Sequence, residues 1–217
     1  MCGRFTLKTD VGTIAKTFGV QPTLDVAPRY NVAPTQDVVT IMRNGTAHLA
    51  QLRWGLIPAW AKEESIGAKM INARAETLAE KPSFKRLLQS RRCLVIADGF
   101  YEWRQDDGQK TPMYITLKNE EPFALAGLWD VWKSQDGREI RSCTIITTTP
   151  NELVASIHNR MPAILSKATR DEWLDAVVHD EQVLLPLLTS YPAGEMTARP
   201  VSRLVNDPKR DSPMLLA

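Results

Sequence analysis

The sequence has few of the residues that build disulfide frameworks and metal sites. Among its 217 residues there are three cysteines, an odd number spread over the chain, so no disulfide framework is expected. No CxxC pair occurs, and the three histidines form no pair at helical spacing. Zinc sites usually need such spacings. We therefore expect neither a metal nor another cofactor.

Long apolar runs and an excess of charge of one sign are also missing. The longest apolar runs, such as residues 123–129, are far shorter than the ~18 residues of a membrane span. The first residues lack the apolar core of a signal peptide. These observations predict a protein of the cytoplasm, associated with the nucleoid and not with a membrane. Lys and Arg number 27 and Asp and Glu 25, a net charge of +2. Binding to an anionic polymer would therefore require basic residues gathered on one face.

The middle of the chain is dominated by strand-like segments. Turn signals at 44–45, 106–108 and 136–137 separate apolar runs typical of strands. These runs cover 38–43, 47–53, 93–97, 99–104, 112–118, 123–131 and 140–148. They do not alternate with helices, which excludes a parallel βαβ arrangement. We predict an α+β fold in one domain over 1–217, with a largely antiparallel, barrel-like β core flanked by short helices. The Asn44-Gly45 pair predicts a hairpin with a type I′ turn.

Short helices are predicted at four places. Residues 9–18 are followed by Gly19, a helix stop signal, and 151–157 form a short helix. Residues 83–92 predict a helix with Lys85, Arg86, Arg91 and Arg92 facing outward. In 169–178, Thr169 and Glu172 have the spacing of a capping box. The proline-containing tail from residue 191 is predicted to be extended.

The first chemical feature is Cys2, directly after the initiator methionine. Methionine removal is favoured before a small residue, and the mature chain would then begin with a free α-amine beside a thiol. Such an aminothiol condenses with an aldehyde to an imine, onto which the thiol closes as a thiazolidine. The thiol alone can also attack an acyl carbon with the amine as base. The plain alternative is a small residue at a frayed chain end.

Three polar residues lie in otherwise apolar surroundings: Asn72, Glu102 and His158. A carboxylate between Tyr101 and Trp103 would be partly desolvated, which raises its pKa toward a useful acid–base range. A histidine is the natural proton carrier near pH 7. The alternatives are that Glu102 faces solvent on a strand and that His158 ends a helix.

Seven motifs appear in a fixed order along the chain: MCGRF (1–5), RYNVAP (29–34), WGLIP (54–58), INARAET (71–77), DGFYEW (98–103), IHNRMP (157–162) and PVS (200–202). In this order they closely resemble the SOS-response-associated peptidase (SRAP) family, the abasic-site processing proteins. The resemblance spans residues 2 to about 207.

The resemblance implies a covalent function on DNA. Family members trap abasic sites in single-stranded DNA as a thiazolidine between the N-terminal cysteine and the ring-opened sugar. Carried over, Cys2 is the nucleophile and Asn72 orients its amine or the sugar. Glu102 shuttles protons, and His158 protonates the sugar ring oxygen and assists reversal of the crosslink. The family is also credited with peptidase activity, which can include removal of its own methionine.

The implied partner is single-stranded DNA with abasic sites, including junctions with duplex where a 3′ end meets the lesion. Such binding uses cations for phosphates and aromatic faces for bases. The candidate DNA-binding residues are Arg4, Trp60, Arg74, Lys85, Arg86 and Arg160. Trp54 is expected in the core and Trp60 at the surface. Ala61 stands where a familiar bacterial version has a second tryptophan, which puts junction preference in doubt. The protein is expected to act as a monomer.

Two other functions compete with this one. Class II glutamine amidotransferases also begin Met-Cys-Gly, so an N-terminal-nucleophile amidohydrolase is one alternative. A non-catalytic nucleic-acid-binding module would keep the basic and aromatic face and tolerate loss of Cys2. Glutaminase activity would favour the first alternative. A Cys2→Ala variant with no chemical phenotype would favour the second.

Overall fold

The computed structural model describes residues 2–217, in which strands account for most of the regular structure. Thirteen strands occur in this range. They are β1 Arg4–Leu7, β2 Arg29–Val32, β3 Asp37–Asn44, β4 Thr46–Trp54, β5 Asn72–Arg74, β6 Arg92–Ala97, β7 Gly99–Asp106, β8 Gln109–Leu117, β9 Phe123–Lys133, β10 Glu139–Thr148, β11 Met161–Pro162, β12 Ile164–Leu165 and β13 Met196–Pro200. The strands predicted between residues 38 and 148 are thus confirmed.

The strands form two sheets. One has five strands in the order β13-β8-β7-β1-β2, all antiparallel. The other has eight strands along the path β11-β10-β4-β3-β6-β9-β12, with β5 added beside β10. Within it β9 also pairs with β10, which closes β10, β4, β3, β6 and β9 into a ring. Only β4 and β5 run parallel to β10. The predicted α+β fold with a largely antiparallel, barrel-like core is confirmed.

Two apolar cores lie on opposite faces of the eight-stranded sheet. In β6, Cys93, Val95 and Ala97 join the core shared with the five-stranded sheet, whereas Leu94 and Ile96 join the core shared with the helices. Successive side chains of a strand point to opposite faces, so an uninterrupted apolar run can serve both cores. This explains why the central strands read as continuous apolar runs.

Five short α-helices surround the sheets: α1 Val11–Phe18, α2 Pro82–Ser90, α3 Glu152–Ala155, α4 Lys167–Leu174 and α5 Glu181–Leu184. Asp10 caps α1 by accepting a hydrogen bond from the Thr13 amide, and Gly19 ends it at a φ of 67°. Within residues 2–217, no helix has the length and apolar character needed to cross a membrane.

The predicted start of α4 was wrong. Ser166, not Thr169, is its N-cap, and its side chain accepts a hydrogen bond from the Thr169 amide. Ser166 stands three residues before Thr169, the spacing at which a cap oxygen meets the N3 amide. The helix therefore begins earlier and ends at Leu174.

The outward position predicted for Arg92 was also wrong. Helix α2 ends at Ser90, and Arg92 is the first residue of β6 and buried. Its guanidinium donates hydrogen bonds to five backbone carbonyls, those of Leu88, Gln89, Trp173, Asp175 and Val178. Arg92 thus binds the end of α2 to the end of α4.

The hairpin turn at Asn44-Gly45 is not of the predicted type I′. The hairpin at Asn44-Gly45 is confirmed, but Arg43 pairs with Ala47 and only Gly45 has a positive φ, of 74°. A type I′ turn needs positive φ at both central residues. That condition is met instead at Asp107 and Gly108, with φ of 42° and 83°.

The tail is less extended than predicted. Strand β13 pairs with β8, as an extended segment would. The rest coils into 3-10 helices at Ala193–Glu195, Arg203–Asn206 and Pro213–Leu216. The second of these lies beside β1, where it forms part of the candidate site.

Candidate active site

Cys2 lies fully buried two residues before β1, in the core between the two sheets. Its pKa is raised by burial and further by the nearby charge of Glu102. A thiolate is the nucleophilic form of cysteine. A thiol held protonated by its surroundings needs a neighbouring group to take its proton before it can react.

Asp98 fixes the strand that carries Cys2. This buried carboxylate follows β6 and accepts hydrogen bonds from the backbone amides of Lys8 and Thr9, at 2.6 and 2.8 Å. It also accepts the Thr6 hydroxyl proton at 2.5 Å. Strand β1 is thereby held in register against β7, with Arg4 opposite Tyr101.

Asn72 holds the backbone of Cys2 directly. It begins β5, which pairs with β10 at Ile145. Its side-chain nitrogen donates a hydrogen bond to the Cys2 carbonyl at 2.9 Å. Its side-chain oxygen is buried and accepts no hydrogen bond within residues 2–217. That oxygen is thus available to an amine or hydroxyl entering the site.

Glu102 lies on β7, one residue beyond the Tyr101–Arg4 pair, and its side chain is only 2% exposed. It does not face solvent, so the plain alternative considered for it was wrong. Burial raises its pKa, and the nearby His158 acts in the opposite direction. A buried carboxyl group with a raised pKa is a candidate for proton transfer.

His158 follows α3 in a short loop that leads to β11. The backbone amide of Arg160 donates a hydrogen bond to its Nδ1 at 3.0 Å. This contact favours the neutral tautomer with its proton on Nε2. Nδ1 also lies 3.2 Å from the Arg160 carbonyl oxygen, to which the other tautomer would donate. Arg160 therefore offers a backbone partner to Nδ1 in either tautomer.

A cavity of about 430 Å³ opens beside these residues. Glu102 and His158 line it together with Trp103, Lys110 and Asn206. Trp103 donates its indole N–H to the side-chain oxygen of Asn206 at 2.8 Å. Sequence reasoning missed Lys110 and Asn206 as cavity residues. Trp103 was named only as a neighbour of Glu102, and Asn206 lies in a tail whose path could not be foreseen.

Arg4 is positioned beside the cavity but is already hydrogen-bonded. Its guanidinium donates to the Asn31 side chain at 2.8 Å and to the Val205 carbonyl at 2.7 Å. It thereby ties β1 to the 3-10 helix Arg203–Asn206. Arg74, by contrast, is exposed, and no hydrogen bond or ion pair of its side chain is found within residues 2–217.

Arg160 also has protein partners. It forms a two-pronged ion pair with Glu76, at 2.7 and 3.0 Å, and donates to the Thr147 carbonyl at 2.6 Å. Its side chain is 14% exposed. The loop of His158 is thus anchored to the 3-10 helix Ala75–Thr77, directly after β5.

A second surface is formed by the loop after β4 and by α2. Trp54 is buried and Trp60 is 63% exposed, as predicted. Trp60 and Arg86 line a depression of about 320 Å³, and Lys85 is exposed on the same helix. The depression is separate from the cavity that Glu102 lines, so the predicted DNA-binding residues fall into two groups.

Asp130 organises this second surface and was not foreseen. It is buried, and it accepts a hydrogen bond from the Ala59 amide at 2.9 Å. It also forms ion pairs with Arg91 at 2.7 Å and Arg86 at 3.6 Å. On the other side of Trp60, the indole N–H of Trp132 donates to the Ala61 carbonyl at 2.7 Å. Trp60 therefore projects from a loop that is fixed on both sides.

Known proteins resemble this chain over nearly its whole length. The profile of the family described as "SOS response associated peptidase (SRAP)" matches residues 1–208. The abasic site processing protein YoqW of Bacillus subtilis is 50% identical, covering 100% of this chain and 99% of that protein. The abasic site processing protein HMCES of Gallus gallus is 36% identical, covering 77% of this chain and 56% of its own length.

Solved structures share the fold. The crystal structure of a protein from Bacteroides thetaiotaomicron superimposes with a TM-score of 0.90 at 29% identity. It covers 99% of this chain and 98% of that one. Together with the profile match and the identity to YoqW, this shows that the chain belongs to the SRAP family.

Proposed function

We propose that the protein processes abasic sites in single-stranded DNA, and that Cys2 captures the lesion covalently once Met1 has been removed. The observation that carries the proposal is the buried Cys2, with its carbonyl held by Asn72 and two proton-transfer groups nearby. The relatives named abasic site processing proteins support it.

The chemistry begins with the aldehyde of the ring-opened sugar. The Cys2 amine adds to the aldehyde carbon, and loss of one water leaves an imine. The thiol sulfur then bonds to the same carbon, and its proton passes to the nitrogen, closing a thiazolidine. Glu102 is suited to carry these protons because burial raises its pKa. No oxidant or cofactor is needed for this sequence.

His158 is proposed to act on the sugar. In its protonated, imidazolium form the ring can give its Nε2 proton to the sugar oxygen when the deoxyribose opens, and the ring is then left neutral. The same donor would assist reversal of the crosslink. Asn72, through its unpaired side-chain oxygen, would accept a hydrogen bond from the Cys2 amine or from a sugar hydroxyl. Peptidase activity toward Met1 is compatible with the same residues.

DNA binding is assigned to two surfaces. Trp60 offers an exposed ring for base stacking, with Lys85 and Arg86 as phosphate contacts. The proposed partner includes a junction with a 3′ end, for which this loop offers one tryptophan because residue 61 is alanine. Arg74 is a further phosphate contact near Asn72. Arg4 and Arg160 remain candidates, although their guanidinium groups already bind protein atoms. The protein would act as a monomer at the nucleoid in the cytoplasm.

A denaturing gel with abasic single-stranded DNA tests the proposal. The wild-type protein is expected to give an adduct that survives heat and SDS, and Cys2→Ala is expected to give none. Intact mass should equal that of the chain beginning at Cys2 plus the DNA, less one water. Cys93→Ala is the matched control, because it removes another buried thiol and should leave the adduct intact. An equal adduct from Cys2→Ala would contradict the assignment.

A further inference from the structure

Arg160 is held from two sides by protein atoms. Both of its terminal nitrogens bind the carboxylate of Glu76, and one also binds the Thr147 carbonyl. A paired, two-pronged contact of this kind fixes the plane of the guanidinium as well as its position. The Arg160 side chain is therefore held in one position and is not a mobile surface cation.

The backbone of Arg160 in turn fixes the ring of His158. Its amide donates to Nδ1 at 3.0 Å, which orients the imidazole and favours the neutral tautomer with its proton on Nε2. Movement of Arg160 would lengthen this hydrogen bond and weaken its restraint on the orientation and tautomer of the ring. The orientation and the tautomer of the His158 ring thus depend on the contacts that hold Arg160 in place.

Glu76 holds Arg160 in place, and it belongs to the part of the site that contains Asn72. The 3-10 helix Ala75–Thr77 continues directly from β5, whose first residue is Asn72. Thr147 of β10 pairs with Arg74 on one side and with Pro162 on the other. The Glu76–Arg160 contact therefore bridges the strand that holds Cys2 and the loop that carries His158.

We propose that Glu76 is a positioning residue for His158 and acts through Arg160. The expected effect on the rate of adduct formation rests on the function proposed above. The expected effect on the His158 ring does not. It competes with a different role, in which Arg160 is a phosphate contact and Glu76 merely offsets its charge. The two roles predict opposite effects of removing the Glu76 charge.

The test compares Glu76→Gln with the wild type and with Glu80→Gln, which removes an exposed glutamate nearby. Adduct formation is measured in a single turnover at saturating abasic DNA, and affinity is measured on undamaged single-stranded DNA. We expect Glu76→Gln to lower the rate constant about tenfold, typical for loss of a supporting contact, and to leave affinity within about twofold. Glu80→Gln should match the wild type. Glu76→Asp, which keeps the charge on a shorter side chain, should be intermediate.

A spectroscopic readout is independent of the DNA chemistry. The ¹⁵N shifts of His158 should report the Nε2–H form in the wild type and a mixture of tautomers in Glu76→Gln. Tighter DNA binding at an unchanged rate, or unchanged shifts and rate, would overturn the positioning role. If the wild type forms no adduct, the proposed function fails. The shifts would then still decide whether Glu76 positions the ring.

Discussion

At the scale of single residues, Glu102 combines function with a cost in stability. Burial disfavours its ionised form and raises its pKa above the ordinary 4.5. Between the ordinary and the raised value, the folded chain binds a proton that the unfolded chain has released. Stability therefore falls as pH rises through that window. A residue retained at such a cost is typical of a site where a shifted pKa is used.

The Glu102→Gln variant should separate these two effects. We expect it to slow adduct formation by about 100-fold, the lower end of what a general acid–base group contributes. Its free energy of unfolding at pH 7 should exceed that of the wild type, and its melting temperature should be higher, because the variant buries no ionised carboxylate. The gain should shrink as pH falls and vanish below about 4.5. A thermal melt at several pH values and a single-turnover assay measure both.

A different result would reassign the residue. A lower melting temperature at pH 7, together with loss of binding to undamaged DNA, would make Glu102 structural. Asp106→Asn, at the far end of the same strand, where the side chain is 40% exposed and pairs with Arg104, is the control for a general effect of removing an acid from β7.

At the scale of elements, Arg92 shows how one side chain joins two helices to a sheet. Carbonyl groups at the end of a helix lack partners within the helix, and a cation there is favourable. Arg92 supplies such donors to the ends of both α2 and α4. It also stacks near the ring of Trp173, at 5.9 Å.

Arg92→Lys should therefore destabilise the protein although it keeps the charge. A lysine ammonium has three donors on one nitrogen and cannot reach five carbonyls. We expect a loss of about 2–4 kcal/mol in the free energy of unfolding, because buried carbonyls are left without donors. Denaturant unfolding measures it. The control, Arg141→Lys on an exposed part of β10, should change stability by less than about 0.5 kcal/mol. Equal stability of the two variants would contradict this role.

Elements that depend on local sequence were predictable, and those that depend on distant partners were not. Strands β6 to β10 could be predicted from apolar runs and turn residues. Short motifs pointed to the candidate site residues Cys2, Asn72, Glu102 and His158. The buried position of Arg92 could not be predicted from the sequence, because its carbonyl partners at the end of α4 lie more than 80 residues away. Asp130 likewise reads as an ordinary strand acid until Ala59 and Arg91 are brought against it.

At the scale of the whole molecule, the net charge is only +2, so attraction to DNA depends on where the exposed cations lie. Arg4, Arg91 and Arg160 are occupied by protein partners, and Arg92 is buried. Arg74 is exposed near Asn72, and Lys85 and Arg86 are exposed beside Trp60, where Arg86 also lies 3.6 Å from Asp130. We therefore expect the salt dependence of binding to come mainly from this surface.

Replacing Lys85 and Arg86 together by Ala tests that expectation. Each phosphate contact contributes about 0.7 to the slope of log affinity against log salt on single strands, so the double variant should reduce the slope by roughly 1.4. Titration of single-stranded DNA at several salt concentrations measures it. The control, Lys16→Ala with Lys167→Ala, changes charge equally at a cavity that excludes the proposed site residues. Equal slopes in the two double variants would remove α2 from the binding surface.

The bond between Arg4 and the Val205 carbonyl has a consequence for the order of events during synthesis. The two residues are separated by 201 positions, and at about 5–20 residues per second the ribosome needs roughly 10–40 s to make the chain between them. Until then β1 lacks its contact with the tail. Asn72 must also be synthesised before it can hold the Cys2 carbonyl. An enzyme that removes Met1 during this interval would act on a chain end that the tail does not yet cover. On the function proposed above, the reactive amine would then form before the pocket that employs it is complete.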